Sequence, residues 1–211
     1  MRHVESVALA AGPLVLFGYL LGSGVYAWLR RDGLPRGGRR PGWHGVAEAA
    51  SGLAAAVIAL RVTRWVAPGT ETSAVGALSS QVLTAWQSIA LWSGMAAVVG
   101  HVAPVWRRFD GGSGLPPALA LTLVYAPVVF AASVAGFFAG FALTGRPRGG
   151  IPVALGTAVV GAWLGWVWDW PAGWGLHNGP ELALWSAVGA TLLAAAWWRD
   201  AGRGSAAGEV Q

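Results

Sequence analysis

The stretch Gly100-His101-Val102-Ala103-Pro104-Val105-Trp106-Arg107-Arg108-Phe109-Asp110-Gly111-Gly112-Ser113-Gly114 decides how the rest of the chain is read. It leaves one long apolar run, passes a proline and two adjacent arginines, and closes on a glycine-rich turn that opens another apolar run. Glycines let backbone N–H groups approach phosphate oxygens closely, and a helix starting after the turn adds the positive end of its dipole. Gly111, Gly112, Ser113 and Gly114, beside Arg107 and Arg108, therefore suit an anionic head group or a phosphate. The plainer alternative is a basic loop that merely ends a transmembrane helix.

The surrounding composition supports the membrane setting. Of 211 residues, 55% are hydrophobic and only 11% charged, which places the chain among membrane proteins. There is no cysteine, so disulfides and thiolate metal sites are excluded. All fourteen cationic side chains are arginine, which excludes lysine Schiff-base chemistry and a lysine-type phosphate loop. The net charge of +5 bears on orientation and on contact with anionic lipids or substrates. With no soluble basic domain to carry it, that charge does not indicate nucleic acid.

Apolar runs at residues 7–29, 45–67, 75–99, 151–168 and 182–198 are each read as a spanning helix. The first is longer than a signal-peptide core and precedes a strongly basic loop, so it is read as retained. The run at 115–143 is interrupted by Pro127. Basic loops at 30–40, 107–108, 146–148 and 199–203 carry eleven arginines, whereas the loops at 68–73 and 169–181 carry none. The positive-inside rule puts the four basic loops in the cytoplasm, the N-terminus outside and the C-terminus inside. Both flanks of the 115–143 run are then cytoplasmic, so a break at Pro127 must divide it into two helices that enter and return.

The expectation is an all-α polytopic protein of about seven helices, five full spans plus a broken pair. Residues 1–198 form one membrane domain, and 199–211 a short polar cytoplasmic tail. Any reaction joining a soluble anion to a membrane-embedded chain belongs on the cytoplasmic face. Glu48, near the start of a span, is costly unless paired, and is expected to meet a loop arginine. Glu71, Asp169 and Glu181 read as solvated charges of the outer loops.

At the residue level the chain resembles the bacterial acyl-phosphate glycerol-3-phosphate acyltransferases of the PlsY type. That family shows Gly-His, then Pro-Val, then an apolar-basic stretch into Gly-Gly-Lys-Gly. Here these are Gly100-His101, Pro104-Val105, Phe109 and Gly111-Gly112-Ser113-Gly114, with the spacing intact. The Tyr-Leu-x-Gly-Ser core of the family's first span is matched by Tyr19-Leu20-Leu21-Gly22-Ser23.

The resemblance implies acyl transfer from acyl phosphate to glycerol 3-phosphate in phospholipid synthesis, in the inner membrane, without metal or other cofactor. Such chemistry needs clamps for two phosphates, a base for the attacking hydroxyl and an apolar slot for the acyl tail. Candidate phosphate ligands are the 111–114 turn, Arg107, Arg108, Arg39, Arg40 and Gly37; candidate catalytic groups are His101, His44 and Ser113.

Several family side chains are replaced. The glycine-loop lysine is Ser113, and the first-loop Gly-Ser-Gly-Asn-x-Gly-Ala-Thr-Asn motif has become Gly37-Gly38-Arg39-Arg40-Pro41-Gly42-Trp43-His44-Gly45. Both serines of a Ser-Leu-Ala-Ser motif are lost at Arg148-Gly149-Gly150-Ile151. A C-terminal His-x-Glu-Asn motif falls near Trp198-Arg199-Asp200-Ala201. Two readings compete: a divergent enzyme whose arginines and backbone amides hold the same anions, or an inactive homologue that binds lipid. The sequence leaves oligomeric state open.

Overall fold

The computed structural model describes residues 2–30, 42–66, 85–168 and 179–208. The described residues form seven α-helices and no strand: α1 (Arg2–Leu29), α2 (Gly42–Val66), α3 (Ala85–Val102), α4 (Leu115–Tyr125), α5 (Pro127–Thr144), α6 (Pro147–Val167) and α7 (Pro180–Gly208). A single 3-10 turn, Val105–Arg107, links α3 to the glycine turn. Six of the helices are long and apolar enough to cross a membrane; α4, with 11 residues, is the short one.

The break expected in the 115–143 run is present. Ala126 leaves helical geometry at φ −145°, ψ 68°, and Pro127 opens α5 at a position where its missing N–H removes no helical bond. The two limbs are unequal. At about 1.5 Å per residue, α4 reaches only about 16 Å and α5 about 27 Å, close to a full bilayer crossing. α7 continues without interruption past Trp198 to Gly208.

α3 is the axis of the bundle. Leu91 and Val98 are fully buried in a core with Leu121 of α4, Leu182 and Trp185 of α7, and Val129 of α5. α1 and α3 run side by side in the same direction, from Ser93 donating to the Leu14 carbonyl (2.8 Å) to Tyr19 donating to the Ala103 carbonyl (2.8 Å). Their backbones come so near that a Cβ on Gly22 would collide with the carbonyl of Ala97, the close approach small residues permit between membrane helices. α7 also parallels α3, with Trp185 donating to the Leu91 carbonyl (3.2 Å) and Arg199 reaching the Val102 carbonyl (3.2 Å).

α2 runs the opposite way, since Glu48 at its start lies beside His101 at the end of α3. α5 and α6 form an antiparallel hairpin in which Gly136 faces Thr157 and Gly140 faces Val153. These directions gather Arg30, Arg107, Arg108 and Arg199 at one end of the bundle, whereas Arg61 and Arg64 near the end of α2 lie at the other.

Candidate functional site

The arginine-rich end encloses a buried polar cluster. His101, 1% exposed, closes α3 and sets its Nε2 3.5 Å from Oε2 of Glu48, which is 5% exposed on α2. Glu48 therefore has a histidine as one neighbour; of the first-loop arginines expected to meet it, Arg31, Arg36, Arg39 and Arg40 lie outside the described residues. Tyr26 of α1 stands edge-on against the His101 ring at 4.7 Å, and the guanidinium of Arg30 sits 5.5 Å above the Tyr26 ring. Ser23, fully buried, accepts the N–H of Val105 at 3.1 Å and so ties the 3-10 turn to α1. The Nδ1 of His101 is buried without a hydrogen-bond partner among the described residues.

The glycine turn lies directly over this cluster. The Gly112 N–H donates to the His101 carbonyl at 2.9 Å, so that amide serves the turn itself. A Cβ on Gly112 would lie 2.8 Å from Cε2 of Tyr26 and 3.0 Å from Nε2 of His101, and no flexible chain end is there to give way. Glycine at 112 is thus required by close approach. Gly114, at φ 69°, caps α4 in the left-handed region that favours glycine. Arg108 and Phe109 occupy the same region at φ 53° and φ 64°, an uncommon conformation for side-chain-bearing residues. Ser113 Oγ accepts the Leu115 N–H at 3.4 Å, and Pro116 and Pro117 leave the first turn of α4 with few amide donors.

The remaining candidates are distributed as follows. Gly37, Arg39 and Arg40 lie outside the described residues. Arg108 is exposed and Arg107 half-buried, both on the approach to the turn, and neither side chain has a partner among the described residues. His44 is no loop residue: it lies in the first turn of α2, 4% exposed, stacked on Trp43 at 3.9 Å, and neither ring nitrogen has a partner among the described residues. Being one helical turn before Glu48, it shares that residue's face of α2.

Two contributors were not singled out from the sequence. Tyr26 carries no motif signal of its own. Arg199, counted toward orientation and given no role within the C-terminal motif, donates from Nη2 to the carbonyls of Val102 (3.2 Å) and Gly112 (3.4 Å). Glu181, expected to be a solvated loop charge, is instead 9% exposed at the opposite end of the bundle. It accepts hydrogen bonds from the Ser88 hydroxyl and from Trp92 Nε1 (2.9 Å). The start of α7 turns inward onto α3 there, so the acid is paired rather than wet.

Beside the polar cluster, α3–α7 enclose an apolar cavity of about 520 Å³, within the range of small-molecule sites. Leu115, Leu119, Phe130, Phe137, Leu155 and Leu193 are among its walls, and Arg148 is the one charged wall residue among the described residues. Leu115 directly follows Gly114, and Leu193 packs against Gly114, so the cavity begins where the glycine turn ends. No group of three or more His, Cys, Asp or Glu suited to a metal ion occurs among the described residues.

A family model described as glycerol-3-phosphate acyltransferase matches residues 37–203. The glycerol-3-phosphate acyltransferase of Myxococcus xanthus is 33% identical over 153 residues, covering 69% of this chain and 76% of that protein. One from Bacillus cereus is 46% identical over 48 residues, so the chain matches about a quarter (24%) of that relative's length. Among solved structures, PlsY (YgiH), an integral membrane glycerol 3-phosphate acyltransferase, in its glycerol 3-phosphate form superposes with a TM-score of 0.60. Identity is 20%, over 92% of this chain and 90% of the other, a likeness of fold. The lysophosphatidic acid form gives a TM-score of 0.61 at the same identity and coverage.

Proposed function

This integral membrane chain belongs to the glycerol-3-phosphate acyltransferase family, and from that premise we propose that it moves an acyl group from acyl phosphate to glycerol 3-phosphate. The observation that carries this reading is the junction at Gly114–Leu115, where a buried polar cluster under a glycine turn meets an apolar cavity. A substrate with a phosphate head and an acyl tail spans such a junction. The tail enters the cavity; the phosphates lie among the 111–114 turn, Arg107, Arg108 and Arg148, with the first-loop Gly37, Arg39 and Arg40 as further ligands.

In the transfer, the hydroxyl oxygen of glycerol 3-phosphate attacks the acyl carbonyl carbon. The bond from that carbon to the phosphate oxygen breaks, and phosphate leaves with the electron pair. The hydroxyl proton needs a base. Nδ1 of His101 is unpartnered while Nε2 is oriented by Glu48, an arrangement that leaves a lone pair for the proton. His101 is buried in this arrangement, so its surroundings must open for the hydroxyl to reach Nδ1. Arginines near the leaving phosphate stabilise its developing charge. The end of the bundle that carries these arginines faces the cytoplasm in this reading, with the N-terminus outside.

The test is lysophosphatidate formation by purified, folded protein given acyl phosphate and glycerol 3-phosphate, with an acyl thioester as the alternative donor. Turnover with acyl phosphate above a lipid-only control supports the reading, and its absence with both donors sinks it. The loss of the motif lysine and serines favours a second reading, an inactive lipid-binding homologue. Anionic lipid that co-purifies with an inactive protein, and is lost when Arg107 and Arg108 are changed together, would establish that reading instead.

A further inference from the structure

The glycine turn has Ser113 where the resembling family has a lysine, so the turn itself brings no charge to a phosphate. A cation nevertheless stands against it. Arg199 crosses from α7 and uses the two hydrogens of Nη2 on the carbonyls of Val102 and Gly112, the residue immediately before Ser113. Its other three N–H donors, on Nη1 and Nε, find no acceptor among the described residues, and Nε is shut off from water. Among the described residues the ion pair of this region joins His101 to Glu48, and Arg199 takes no part in it.

A half-buried guanidinium held by one nitrogen, with three donors spare among the described residues, has the chemistry that recognises an anion. A residue serving only to cap the end of α3 would spend its donors on the last carbonyls and leave the remainder in water. The buried Nε departs from that pattern.

We propose that Arg199 supplies from α7 the cation the glycine turn lacks at Ser113, and holds a substrate phosphate against that turn. This assignment rests on the acyltransferase reading above. The phosphate belongs either to glycerol 3-phosphate or to acyl phosphate, two sources that steady-state kinetics separate.

Arg199→Gln keeps hydrogen-bonding capacity but removes the charge. Its effect should be a rise of about ten- to a hundredfold in KM for the substrate whose phosphate Arg199 holds, the other KM changing little. The thermal midpoint, measured alongside, reports any capping role. The deciding variant combines Arg199→Gln with Ser113→Lys. A lysine on the turn should restore the KM if the lost function is a cation for phosphate, whereas it cannot replace a structural cap reaching from α7. Arg61→Gln, at the far end of the bundle, controls for net charge.

Direct titration with inorganic phosphate separates the site from the activity. Turnover in the wild type with unchanged KM values in Arg199→Gln overturns the role of Arg199 and leaves the acyltransferase reading standing. Phosphate binding that depends on Arg199 without turnover keeps the site and removes the activity. Neither binding nor turnover in folded wild type overturns both. A KM defect that the lysine fails to restore also overturns the proposal.

Discussion

Two glutamates are buried at opposite ends of this bundle, and they have opposite company. Glu181 opens α7, where the helix dipole favours an acid, and both of its described donors are neutral: the Ser88 hydroxyl and the Trp92 indole. Glu48 faces His101, whose Nδ1 has no partner among the described residues, beneath a glycine turn that receives a hydrogen bond from Arg199. A carboxylate satisfied by neutral donors fastens two helices together. One that faces a titratable ring beside spare cationic donors can orient a base and respond to substrate. The two positions teach that burial of an acid carries little functional meaning until its partners are known.

That contrast breaks most visibly at the glycine turn. Gly112→Val puts a branched side chain onto Tyr26 and His101, and turnover should fall to the lipid-only background while the protein still extracts and folds. Glu48→Gln should be next. Losing the charge that orients His101 lowers kcat by about a hundredfold, with much smaller changes in KM, as expected for help given to a general base. A pH–rate profile on that variant separates orientation from simple destabilisation, because only orientation of a titrating base moves the profile.

The cavity offers a smaller effect. Leu155→Trp fills part of the space between α4 and α6, and should shift acyl preference toward shorter chains, with about a tenfold loss on the longest donors. At the other end, Glu181→Ala leaves the Ser88 hydroxyl and Trp92 indole unsatisfied. It should cost about 1–3 kcal/mol of stability, with kcat per folded molecule unchanged. A large kcat defect in Glu181→Ala would erase the distinction between the two ends.

The architecture was legible because membrane physics is severe. Spans must be long and apolar, and the break at Pro127 could be read because both flanks of that run are basic, so it must turn back, and proline disfavours helical geometry at the residue before it. The turn at 111–114 was visible as a motif. Its neighbours were not. Glu48 and His101 lie on different helices, and nothing in the local pattern of either announces the other; only the antiparallel packing of α2 on α3 joins them. Glu181 follows a proline at the edge of an outer loop, which reads as a wet charge until the start of α7 is seen packed on Ser88 and Trp92. His44 similarly passed for a loop residue because Pro41 and Gly42 suggested that the loop continued; α2 begins at Gly42 and buries the ring in its first turn. Arg199 was visible as charge but not as geometry, since only the parallel packing of α7 on α3 brings it to the carbonyl of Gly112.

The most direct measurement is steady-state lysophosphatidate formation by wild type and Gly112→Val, assayed together in protein shown to be folded. The wild type should sustain turnover of acyl phosphate and glycerol 3-phosphate, and the variant should show none above the lipid-only control. An inactive wild type, or equal rates for the two, would contradict catalysis at the glycine turn.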